Sequence, residues 1–130
     1  MMNIREYVQT TLDTALFDDG VRVYWQRKAQ TDGEDPDEYV VYTLDGDPAM
    51  NHADDKPLIR AGNVAIRYYY RDTLLDTFAG REQIAGREIQ ISAAVIAAGF
   101  VLPNGYFDSG DIDSIGFGTT IFDCDYWRVV

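Results

Sequence analysis

A chain of 130 residues, 46% hydrophobic and 25% charged, has enough apolar material for one packed core and lacks the polar bias of a disordered segment, so residues 1–130 read as a single domain. Its 22 acidic and 11 basic side chains give a net charge of -11, which repels nucleic acid and anionic membrane surfaces at long range and argues against partners of either kind. The single cysteine, Cys124, permits no intrachain disulfide and no cysteine-based zinc site. In a predicted strand it reads as a small buried hydrophobe.

Residues 3 to 17 place Ile4, Val8, Leu12, Ala15 and Leu16 at helical spacing, which predicts an amphipathic N-terminal helix. Charges interrupt the apolar residues of MMNIREYVQTTLDTALF, so no secretory signal is expected and a cytosolic setting follows. Gly20 can take the left-handed conformation that ends a helix. The alternating stretch VRVYW, 21 to 25, predicts the first strand. QRKAQTDGEDPDE, 26 to 38, has no large apolar residue and reads as a long exposed loop, a length that tends to be functional or mobile.

A second strand resumes at Tyr39 in YVVYTLDGDPAM, with Gly46 and Pro48 marking a bulge or strand end. Residues 58 to 71 predict a third strand that contains GNVAIRYYYRD. Alternation places Val64, Ile66, Tyr68 and Tyr70 on one face and Ala65, Arg67, Tyr69 and Arg71 on the other. Three consecutive tyrosines between arginines invite a base-stacking reading. Two of those tyrosines share the face of Val64 and Ile66, however, and are expected at the core. Arg67, Tyr69 and Arg71 are left as the candidate contact surface between subunits, where Tyr and Arg are enriched.

Residues 73 to 85 carry mixed signals, with a short helical turn broken at Gly80. GREIQISAAVIAA, 86 to 98, predicts the second helix, mostly buried, with a stripe of Ile91, Ala94, Val95 and Ala98 widened by Ile89 and Ile96. Gly99 ends it, and FVLP, the NG turn at 104 and 105 and YFD follow. The last segment predicts one long strand, or two with a bulge, on the alternation of Ile115, Phe117, Thr119 and Ile121. The expected fold is α+β: an N-terminal helix and a second central helix packed on a mainly antiparallel sheet of about five or six strands.

Catalytic and metal motifs are weak. His52 is the only histidine; Asp54 and Asp55 follow it, but no second His or zinc-spaced Cys supports a metal centre, and the segment reads as a solvated loop. FDSGDIDSIGFG fails as a calcium loop, because position twelve counted from Asp111 is Phe122 where a bidentate glutamate is needed. Gly116 and Gly118 form a GxG without the third glycine of a dinucleotide fingerprint. No enzymatic activity, cofactor or small-molecule ligand is expected.

Several phrases, namely VRVYW after the N-terminal helix, YVVYTLDGDP, KPLIRAGNVAIRYYYRD, AAGFVLPNGYFDSGDID and TTIFDCDYWRV, give the chain a resemblance to the small tail-completion or tail-terminator proteins of long-tailed bacteriophages and prophages. That family assembles into a ring, commonly six-fold, that caps the tail tube and joins it to the head. The resemblance implies a homo-oligomeric structural protein of the virion, assembled in the host cytoplasm, with tail-tube and neck proteins as partners. Phage neck or minor capsid proteins share its size and style; the rival from another class is a small acidic enzyme or metal-binding protein using His52, Asp54 and Asp55, and an acidic adaptor or inhibitor domain is a third alternative.

Overall fold

The computed structural model describes residues 4–26, 36–45, 58–113 and 115–129. Two α-helices, α1 (Ile4–Leu16) and α2 (Phe78–Ala97), accompany five strands: β1 (Arg22–Trp25), β2 (Glu38–Asp45), β3 (Leu58–Arg71), β4 (Tyr106–Asp108) and β5 (Phe117–Val129). The strands form one mixed sheet in the order β1-β2-β3-β5-β4. β1 and β2 pair in parallel, and every other neighbouring pair is antiparallel. This is the α+β architecture expected from the element order.

The core lies between the two helices and one face of the sheet. β3 occupies the centre, pairing with β2 from Asn63 to Tyr70 and with β5 along nearly its whole length. Val64, Ile66, Tyr68 and Tyr70 all point to the helices and are buried, as are Val40 and Tyr42 of β2 and Phe122 and Cys124 of β5. Opposite them stand Val8, Leu12 and Leu16 of α1, and Ile84, Ile91 and Val95 of α2. The helices run antiparallel: the Tyr7 hydroxyl donates to the Ala98 carbonyl (2.6 Å) at one end, and Gln90 Nε2 donates to the Ala15 carbonyl (2.5 Å) at the other.

Several local features differ from the sequence expectations. α2 begins at Phe78, eight residues before the predicted start, and passes straight through Gly80. Thr77 caps it by accepting from Gly80 N (2.9 Å), which satisfies one of the free amides of the first turn. Gly80 permits close packing on the short 3-10 turn Asp72–Asp76, since a Cβ there would sit 2.0 Å from the Leu74 carbonyl oxygen. α2 is not mostly buried either: Ile89 and Ile96 are 63% and 57% exposed and face away from the core. Ile115 lies in the β4–β5 loop and is exposed, and the bulge falls in β3 between Arg60 and Gly62 and not in the last strand.

Other expectations hold. Gly20 (φ 71) closes the short 3-10 turn that follows α1, and Gly99 (φ 98) terminates α2. β3 spans the predicted 58 to 71, and β2 starts one residue before Tyr39. Gly46, Pro48 and most of the loop predicted at 26 to 38 lie outside the described residues.

Two glycines of one helix provide an internal control. Gly80→Ala forces a methyl group against backbone and is expected to cost about 1–3 kcal/mol of folding stability. Gly86→Ala enters open space within the same helix and is expected to gain about 0.5–1 kcal/mol. Urea denaturation of the two variants beside the parent chain measures both.

Candidate functional site: the outer face of the sheet

Strand parity sends Arg67, Tyr69 and Arg71 to the face turned away from both helices, as the alternation of GNVAIRYYYRD predicts. The same face receives Tyr24 from β1, Tyr39 and Val41 from β2, and Phe117 from β5. Tyr39, Val41 and Phe117 form a second buried cluster against which Tyr24 and Tyr69 pack. One register row crosses all five strands, from Tyr24 through Val41, Arg67 and Ile121 to Phe107.

The three predicted residues are brought together, but their surroundings differ. The Tyr69 ring stacks on Tyr39, with centroids 4.8 Å apart and planes 14° from parallel. Tyr39 in turn meets Phe117 and Tyr24 edge-on at 5.3 and 6.2 Å. The Arg71 guanidinium lies over the Phe117 ring at 4.7 Å, and its Nε donates to Asp37 Oδ1 at 3.1 Å. Both members of that ion pair are partly exposed, so its contribution is that of a surface pair, up to about 1 kcal/mol. Arg67 stands mid-sheet between Val41 and Ile121, half-buried among apolar neighbours.

Sequence reasoning did not single out Tyr39 or Phe117, which complete this aromatic group. The available signals were the register of YVVY, which puts Tyr39 and Val41 on one face, and the glycines around Phe117. Gly118 has a steric role: a Cβ there would meet the Tyr70 ring at 2.5 Å. Gly116 (φ 89) turns the chain into β5. The acids of the preceding loop are partly occupied with the turn itself, since Asp113 Oδ1 accepts from the amides of Ile115 (3.0 Å) and Phe117 (2.9 Å).

The helix side carries a polar group that the sequence reading missed. Glu38, 9% exposed, accepts from the Tyr68 hydroxyl (2.5 Å) and from Gln83 Nε2 (2.6 Å). Arg87 Nε lies 3.0 Å from Glu38 Oε1 without hydrogen-bond alignment, so charge and not a directed bond joins them. Arg87 also reaches Asp19 (3.5 Å). Burial, followed by the hydrogen bond to Glu38, pushes the Tyr68 hydroxyl far above its ordinary pKa. Gln83 and Arg87 lie in or just beyond the stretch whose periodicity is ambiguous, and Glu38 was assigned to a loop.

A second polar group joins α2 to the last hairpin. Thr120, fully buried, donates to Glu88 Oε2 (2.5 Å) and lies 3.5 Å from Asp108 Oδ1. Burial raises the Glu88 pKa, the Thr120 hydrogen bond opposes that shift, and the Asp108 charge adds to it. Cys124 is wholly buried, and burial followed by the charges of Asp123 and Asp125 pushes its thiol up to about 12. His52, Asp54 and Asp55 lie outside the described residues. Among the described residues, no three His, Cys, Asp or Glu side chains gather as a metal-ligand set.

In comparisons with known proteins, the chain matches no family model and no curated sequence.

The raised pKa of Glu88 has a definite sign in stability. Its stabilising contribution is complete below the ordinary value of 4.5 and is lost as pH rises through the higher folded-state value. Glu88→Gln keeps an acceptor for Thr120 and removes the titration. The variant is expected to match the parent chain near pH 4 and to exceed its thermal midpoint at pH 7. Paired melting curves across that range check it, and a variant less stable at pH 7 than at pH 4 relative to the parent contradicts it.

Proposed function

We propose that this chain is a structural protein of a phage virion, a tail terminator or completion subunit that forms a ring capping the tail tube and joining it to the head. The observation that carries the reading is the outer face of the sheet. Tyrosine, phenylalanine and arginine gather there on five strands whose opposite face is already covered by α1 and α2. Partly exposed tyrosine beside arginine, as at Tyr24, Tyr69, Arg67 and Arg71, is the kind of side chain in which contact energy between proteins concentrates. The resemblance in sequence phrases supports the same assignment, and so does the net charge of -11, because an acidic ring lets DNA pass without adhering.

On this reading the chain works by assembly and not by catalysis, and it needs no cofactor or small-molecule ligand. Subunits meet through the Arg67, Tyr69 and Arg71 face, with tail-tube and neck proteins as further partners. A role in the neck or minor capsid would use the same face with a different partner. A second reading, an acidic adaptor or inhibitor domain, draws on the exposed Asp108, Asp111 and Asp113 of the last hairpin. Competition with DNA for a basic protein distinguishes it.

Sedimentation velocity and mass photometry test assembly directly. A closed oligomer is expected, and Arg67→Glu, which places an anion at the centre of the contact face, is expected to weaken assembly at least about tenfold, or ~1.4 kcal/mol, with an unchanged circular dichroism spectrum. A parent chain that stays monomeric at high concentration and does not bind assembled tail tubes overturns the proposal.

A further inference from the structure

Strand parity sets an acid on the helix face at the free edge of the sheet. Tyr68 of β3, Thr120 of β5 and Asp108 of β4 share one register row, and directly paired residues point to the same side. Glu88 of α2 lies over that row, where its Oε2 accepts from the Thr120 hydroxyl at 2.5 Å. Asp108 Oδ1 approaches the same hydroxyl oxygen at 3.5 Å. Thr120 is fully buried, Glu88 is half-buried and Asp108 is exposed. Two carboxyl groups from different elements thus converge on one threonine.

A threonine hydroxyl has one hydrogen and cannot satisfy two carboxylates. With Thr120 donating to Glu88, its oxygen turns lone pairs toward Asp108, an arrangement that attracts only when a proton lies between them. One proton on either acid completes a directed chain across α2, β5 and β4. Without that proton two like charges face each other across Thr120. No cation among the described residues pairs with either acid. Arg87, next to Glu88 in α2, reaches Glu38 and Asp19 instead. The other titratable groups facing the pair are Tyr68, which donates to Glu38, and Tyr70, and burial keeps both phenols un-ionised.

We infer that Glu88, Thr120 and Asp108 form a proton-dependent latch that holds β4 against α2 in acid and releases it as pH rises. β4 is the part free to move. It is an edge strand of three exposed residues that pairs only with β5. Close to the latch it is held by the Tyr106 ring on Phe122, with centroids 5.1 Å apart, and by the Ser109 amide donating to the Thr119 carbonyl at 2.9 Å. Thr120 and Glu88 are fixed by the core and the helix, so the repulsion is relieved when exposed Asp108 turns to water and β4 follows. Release uncovers the β5 edge from Thr120 to Phe122, which β4 otherwise pairs. The sign follows from Glu88, whose pKa is raised above 4.5, chiefly by burial. The latch is complete below that value and lost as pH rises through the folded-state one. It lies on the opposite face of the sheet from Arg67, Tyr69 and Arg71 and is independent of the virion reading.

Amide hydrogen exchange read by NMR, corrected for the intrinsic pH dependence of exchange, tests the latch at the Ser109 amide, with the carboxyl carbon of Glu88 titrated in parallel. Between about pH 4 and about pH 7, Ser109 protection in the parent chain is expected to fall about tenfold, the equivalent of one unit in an acid's pKa. The fall is expected to track the Glu88 titration and to leave Ser109 less protected than the central β3 amides at every pH, the mark of local opening. Asp108 is exposed, so Asp108→Asn is expected to fold normally. Its amide donates to Thr120 without a titrating proton, so Ser109 protection is expected to stay at its acid level and the Glu88 midpoint to fall. Glu88→Gln, which removes the titrating member, is expected to abolish the pH dependence as well. Ser109 protection that does not change with pH in the parent, that matches β3 throughout, or that still changes in Asp108→Asn overturns the inference. So does a Glu88 midpoint unmoved by that variant.

Discussion

The rest of the structure depends on strand parity in β3. A central strand hydrogen-bonded on both sides cannot rotate to favour one set of side chains, so each residue is committed to one face. Val64, Ile66, Tyr68 and Tyr70 go to the helices, and Arg67, Tyr69 and Arg71 go to the other side. A one-residue slip against β2 and β5 would place two arginines in the core, at a cost far beyond what a single domain can absorb. The register of the whole sheet is therefore fixed by where those arginines cannot go. That gives the sheet two chemically different faces.

The helix side gains a further constraint from Glu38. A carboxylate almost removed from water is tolerable only where donors surround it, and here two of its three partners come from α2. Gln83 and Arg87 lie four apart on one helical face, so satisfying Glu38 sets the rotation of α2 about its own axis. Rotation of the helix to bury Ile89 would withdraw the Gln83 donor and the Arg87 charge together. The exposure of Ile89 and Ile96 thus follows from an electrostatic requirement at the far end of β2.

This explains which parts of the fold could be read from the sequence. Period-two alternation is written locally, so β3 and the division of its tyrosines are legible in GNVAIRYYYRD. The expectation for α2 failed at both of its uncertain points for non-local reasons. Gly80 reads as a breaker, yet it is required by the Leu74 carbonyl lying across it. Ile89 and Ile96 read as core because periodicity counts apolar residues and cannot register a buried glutamate forty-five or more residues away. The parallel pairing of β1 with β2 is equally invisible, since it depends on the path of the chain between them. For the candidate site, Arg67, Tyr69 and Arg71 were readable from one strand, whereas Tyr39 and Phe117 join them only through cross-strand register.

The sheet face and the exposed stripe of α2 differ in their chemistry. The sheet face combines rings with guanidinium groups, so the contact proposed there depends on geometry as well as apolar area, which favours selectivity. The α2 stripe is built from small and aliphatic residues, whose attraction is short-ranged and depends mainly on area. The sheet face is thus suited to a selective contact, while Glu38, through Gln83 and Arg87, holds α2 in the orientation that leaves Ile89 and Ile96 on the opposite surface.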